Sequence, residues 1–88
     1  MSRKNILIVD RDKNFLLDLR EAFSPFSKSY QVAFASSIAK ANDILKKFTV
    51  HLVLTNVHLA GESGIELLLS IRRQHAQTHV VLYSSELT

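Results

Sequence analysis

The chain has 88 residues, 47% of them hydrophobic, with a formal charge of +3 and no cysteine. That length allows one small domain, and the apolar content excludes a disordered tract. Disulfides and thiolate metal sites are excluded by the missing cysteine, and the four-residue apolar run from Ile6 to Val9 is too short for a signal-peptide core or a membrane span, so the expected location is cytoplasmic.

In chain order, N-I-L-I-V-D (5–10) opens as a short β-branched strand. A helical stripe of Phe15, Leu16, Leu19, Ala22 and Phe23 follows, with Asp12 placed to cap it and Ser24-Pro25 to end it. Y-Q-V-A-F-A (30–35) is a second strand, and Ser36 and Ser37 precede a second helix with Ile38, Ala41, Leu45 and Phe48 on one face. V-H-L-V-L-T (50–55) is a third strand. A third helix carries Ile65, Leu68, Leu69 and Arg72 on a shared face, and H-V-V-L-Y-S (79–84) is a fourth strand. Continuous apolar runs at 6–9 and 52–54 suit strands covered on both faces.

Strands separated by helices of this length must run parallel, so the fold class is α/β with a doubly wound sheet. Ligands in such sheets bind outside the carboxyl ends of the strands. The residues placed there are Asp10, Arg11 and Asp12, then Thr55 and Asn56, then Ser84 and Ser85. Lysine and arginine are otherwise scattered. The pairs Lys46-Lys47 and Arg72-Arg73 fall near predicted helix ends, where they complement the helix dipole, and no interleaved aromatics offer a stacking surface for nucleic acid. His51, His58, His75 and His79 share no metal-ligand spacing, so a zinc site is not expected.

The stretches I-L-I-V-D-R-D (6–12), L-V-L-T-N-V-H-L-A-G-E-S-G-I-E-L-L (52–68) and V-V-L-Y-S-S (80–85) resemble the receiver domain of two-component response regulators. The resemblance runs through essentially the whole chain in the family's order. It implies a flavodoxin-like sheet, here ordered 2-1-3-4, with residues 1–88 forming one receiver-like domain, the N-terminal two-thirds of a full receiver, from which the family's last strand and two helices are missing. It also implies a signalling module rather than an enzyme. Receivers accept a phosphoryl group from a histidine kinase on an aspartate that ends the third strand, beside Mg²⁺ held by an acidic pair after the first.

Matched position by position, Asn56 stands where the phospho-accepting aspartate is expected. Asp10 matches the first member of the acidic pair, Arg11 replaces the second, and Asp12 lies one place beyond. His58 matches the position whose backbone carbonyl contacts the metal, Ala60 replaces a frequent proline, and Ser84 matches the switch hydroxyl. A neutral carboxamide is a poor nucleophile toward phosphorus. Mg²⁺ favours carboxylate oxygens, whereas Asp10, Asn56 and Arg11 sum to zero charge. A guanidinium about 4 Å from the divalent cation would oppose it by about 8 kcal/mol at an effective dielectric near 20.

No cofactor is therefore expected, with Mg²⁺ entering only if the site were restored. Arg11 is placed to pair with Asp10 or Asp12 and so imitate the cation. Two readings of Asn56 stay open: a receiver that has lost phosphorylation and acts through protein contacts, or a conventional phosphoacceptor carrying an engineered aspartate-to-asparagine change. The expected partners are a second copy, an attached output domain or a histidine kinase, with no direct nucleic-acid or membrane contact. A sheet that ends on its fourth strand leaves an open edge and an uncovered face, which predicts dimerisation or element exchange.

Overall fold

The computed structural model describes residues 3–84. Its main sheet has four parallel strands, β1 (Lys4–Val9), β2 (Tyr30–Ala35), β3 (Leu52–Asn56) and β6 (His79–Tyr83), ordered β2-β1-β3-β6. This is the 2-1-3-4 order expected from the sequence, in a doubly wound α/β fold. A small antiparallel ladder, β4 (His58–Leu59) with β5 (Glu62–Ser63), was not expected. Gly61 makes its turn at φ 68°, a left-handed conformation that glycine adopts without steric cost.

Three helices cover the sheet: α1 (Lys13–Phe23), α2 (Ile38–Lys47) and α3 (Gly64–Gln74). Strand alternation divides the core in two. Leu7, Val9 and Val53 face α2 and α3 and pack with Ala41, Leu45, Leu67 and Ile71. Ile6 and Ile8 face α1, where Leu16 is buried and Leu19 and Phe23 are partly buried. Full burial of a side chain such as Leu67 is worth about 1.5–3 kcal/mol, so the first of these clusters supplies most of the hydrophobic stabilisation.

The helix starts follow local chemistry. Asp12 caps α1, its Oδ1 accepting from the Asn14 and Phe15 N–H groups at 3.0 and 3.1 Å. Of the two serine candidates, Ser37 caps α2, accepting from the Lys40 N–H at 3.2 Å. Lys46 and Lys47 lie in the last turn of α2, and Arg72 and Arg73 in that of α3, as the dipole argument required. Helix α1 ends at Phe23, and Ser24–Phe26 continues as a 3₁₀ turn around Pro25.

Two helical faces differ from expectation. In α3 the buried positions are Gly64, Leu67 and Ile71, whereas Ile65 and Leu69 are 47% and 54% exposed. Leucine and isoleucine surround this helix, so hydrophobic spacing alone could not choose its inward side. The choice is made by Gly64, whose backbone seats against Asn56 and Thr55. In α1 only Leu16 is buried, while Phe15 and Ala22 remain exposed, because α1 is the one helix on its side of the described sheet. Phe48, expected on the inner face of α2, is its exposed C-cap residue.

Candidate functional site

The carboxyl ends of β1, β3 and β6 meet at one place. Asp10 directly follows β1, is 3% exposed, and donates its backbone N–H to the Ala35 carbonyl at 3.1 Å. Its Oδ1 accepts from the Asp12 N–H at 2.9 Å. Its Oδ2 accepts twice, from the Tyr83 hydroxyl at 2.6 Å and from Asn56 Nδ2 at 3.3 Å. The short contact with tyrosine is typical of an O–H donor on an ionised carboxylate.

Asn56, also 3% exposed, uses both ends of its carboxamide. Nδ2 faces Asp10, and Oδ1 accepts from the His58 N–H at 3.0 Å; these two bonds fix which end is nitrogen. Beneath it, the buried Thr55 donates its hydroxyl to the Asn56 carbonyl at 3.1 Å. The loop is tied to the sheet by Val57 N–H on the Tyr83 carbonyl and by Gly64 N–H on the Val57 carbonyl, each at 2.8 Å.

Tyr83 is half-buried at the last position of β6, level with Asn56 across the ladder. The Phe15 ring meets it edge-on, with centroids 6.5 Å apart and planes at 61°. Burial first, then the hydrogen bond to Asp10 and that residue's charge, push the phenol's pKa well above its ordinary 10.0. It holds its proton throughout the neutral range and acts as a donor.

The other residues singled out in the sequence are placed differently. Arg11 is exposed and is not among the partners of Asp10 or Asp12, so the ion pair expected for it is replaced by neutral donors. A hydroxyl and a carboxamide already occupy the acceptor sites of Asp10, leaving the guanidinium in water, where hydration costs it nothing. Asp12 is committed to capping α1. His58 is exposed and pairs with Ser63 in the small ladder, while its N–H serves Asn56. Ser84 is exposed immediately after β6. Ser85 lies outside the described residues.

Residues 6–88 match the family model described as the response regulator receiver domain. The chain belongs to this family. Its structure superposes on the signal receiver domain of an HD domain-containing protein from Pseudomonas fluorescens Pf-5 with a TM-score of 0.89, at 30% identity over 99% of this chain and 68% of that one. The MaeR response regulator bound to beryllium trifluoride gives a TM-score of 0.79 at 26% identity, covering 97% of this chain and 70% of that one. Among curated proteins, the Transcriptional regulatory protein MalR of Bacillus subtilis (strain 168) is 29% identical over 82 residues. The receiver spans 92% of itself in that match but only 34% of MalR, about a third of the longer protein. Among the described residues, no helix is long and apolar enough to cross a membrane.

Membership implies a Mg²⁺ ion beside Asp10, and the residues present do not fit one. Magnesium demands near-octahedral oxygen ligation at about 2.0–2.1 Å. Asp10 Oδ2 instead carries two hydrogen-bond donors, and Asn56 turns its NH₂ group, not its oxygen, toward that carboxylate. Among the described residues, no group of three or more His, Cys, Asp or Glu side chains converges as a metal site.

Tyr83 is the site residue that sequence reasoning missed. Alternation along a strand sends Tyr83 and Ser84 to opposite faces, and the resemblance drew attention to the serine. The available signal was a phenol at a strand end on the α1 side, where a polar tip needs a partner once its ring is half-buried.

Proposed function

We propose that this receiver domain has left phosphoryl transfer and acts as a cytoplasmic signalling module through protein–protein contacts, with a second copy, an attached output domain or a histidine kinase as partner. One observation carries the reading. The residue ending β3 is Asn56, and its carboxamide is hydrogen-bonded on both sides, donating to Asp10 and accepting from His58. An aspartyl phosphate needs an anionic oxygen there, and an amide oxygen already accepting a backbone hydrogen bond is a poor substitute. The exposed Arg11 adds a positive charge beside a pocket that would have to receive a cation.

Contact surfaces remain on the sheet itself. Among the described residues β6 pairs only with β3, and its outward Val81 is 49% exposed. An open strand edge bearing apolar side chains favours pairing with another chain.

The test is to titrate the parent chain and Asn56→Asp with Mg²⁺ and beryllofluoride while following backbone amide shifts. The parent is expected to show no saturable change, and Asn56→Asp alone only a weak one, with a strong response requiring Arg11→Asp as well. A strong response from Asn56→Asp alone would favour the conventional phosphoacceptor reading. Saturation by the parent itself would overturn the proposal.

A further inference from the structure

The pocket at the end of β1 has not simply been emptied of its chemistry; its charge is balanced from within. Asp10 is almost fully buried, and a buried carboxylate without compensation is strongly unfavourable. Three neutral donors converge on it: the Asp12 N–H on one oxygen, and the Tyr83 hydroxyl and Asn56 NH₂ on the other. We propose that Tyr83 is a latch that takes the place of the divalent cation, closing the acidic pocket with a hydroxyl and pinning the ends of β1, β3 and β6 in one arrangement without any ligand. This rests on the reading of the site as one that no longer transfers phosphoryl groups.

Asn56 and Tyr83 act together in this arrangement. Both donate to the same oxygen of Asp10, so both point positively polarised hydrogens at the place a cation would occupy. Asparagine is the near-isostere of aspartate that can do this while still accepting from the His58 N–H. An aspartate at position 56 would meet Asp10 as a like charge across the same short gap. The side chain at 56 therefore fits the latch as closely as it fails the phosphoacceptor role.

The position of the phenol is fixed independently of that hydrogen bond. The Tyr83 carbonyl holds the Val57 N–H, its residue pairs with Asn56 in the ladder, and Phe15 braces the ring edge-on. The hydroxyl is thus carried to Asp10 by the strand end and by the start of α1. A metal ion could reach Asp10 Oδ2 only after the hydroxyl had moved away. The latch joins the end of β6 to the residue after β1, while Asn56 joins the end of β3 to the same carboxylate oxygen.

The experiment compares the parent chain, Tyr83→Phe, Asn56→Asp and Asn56→Asp/Tyr83→Phe. Mn²⁺ and Mg²⁺ are titrated while the amides of residues 10–12 and 56–58 are followed by NMR, the first ion by line broadening and the second by shift. The double variant is expected to bind either ion at least tenfold more tightly than Asn56→Asp, because phenylalanine removes the competing donor and keeps the ring. Equal affinities would overturn the latch while leaving the proposed loss of phosphorylation intact. Uptake of beryllofluoride with Mg²⁺ by the parent would overturn that loss and the latch with it, because the ion would then enter the pocket that Tyr83 closes.

Discussion

Replacing Gly64 by alanine tests how the strand end bearing Asn56 is held. A Cβ at this position would run into the Asn56 carbonyl oxygen, with the carbonyl carbon at 3.1 Å and Thr55 Oγ1 at 3.2 Å. None of these atoms lies at the far end of a flexible side chain. The Asn56 carbonyl belongs to a strand residue paired with Tyr83, Thr55 is fully buried, and Gly64 itself donates to Val57 at 2.8 Å. Relief therefore requires α3 to move off the sheet or the loop from 57 to 63 to break its ties. Forcing atoms into such a contact costs about 1–3 kcal/mol, occasionally more, and a backbone obstacle belongs toward the upper end. The ordinary helical gain from glycine to alanine is at most about 1 kcal/mol, so the clash dominates. A net loss of about 2 kcal/mol is expected, read as a fall in the urea midpoint of about 1–2 M for a chain of this size. Gly61→Ala is the companion: nothing lies within 4 Å of its added carbon, and its φ of 68° costs only about 1–2 kcal/mol of local strain. A Gly64→Ala chain as stable as the parent, with unshifted amides at 55–57, would refute the close seating of α3 on Asn56.

Three further outcomes follow from the same contacts. Because the folded chain keeps the Tyr83 proton to higher pH than the unfolded chain, it binds more protons above the ordinary value of 10.0, so stability is expected to fall as pH rises from there. Chemical denaturation of the parent and Tyr83→Phe at rising pH checks this, since the variant should lack that part of the decline. Asp12→Ala removes the cap from Asn14 and Phe15 and is expected to cost about 1 kcal/mol; a loss below a few tenths in urea unfolding would remove Asp12 from that role. With β6 pairing only with β3 among the described residues, a polypeptide of residues 1–88 is expected to self-associate, measured by light scattering across a concentration series, and Val81→Lys to reduce it; a monomer throughout would refute the association.

Much of the fold was legible because its signals are local. Short β-branched runs alternating with helical spacings impose parallel strands, and proline, aspartate and serine mark helix ends whatever the rest of the chain does. The same locality explains the errors. The inward face of α3 depends on how closely Gly64 can approach Asn56, which hydrophobic periodicity does not encode. The ladder β4–β5 is two residues per strand, too short for alternation to announce it.

The site divides along the same line. Taken alone, the sequence determined that Asn56 ends a strand where a nucleophilic carboxylate is expected, and that Asp10 sits at the neighbouring strand end, because order and spacing place strand ends together in any doubly wound sheet. Only the tertiary structure decided what neutralises Asp10. Charge counting pointed to Arg11, the nearest cation in the chain, but an arginine is well solvated at the surface, where this one is found. Beside the local Asp12 N–H, the two side-chain donors that reach the buried carboxylate come from residues 46 and 73 positions away, Asn56 and Tyr83. Hydrogen bonding is decided by distance and direction over a few ångströms, and those are properties of the packed sheet that no stretch of sequence carries by itself.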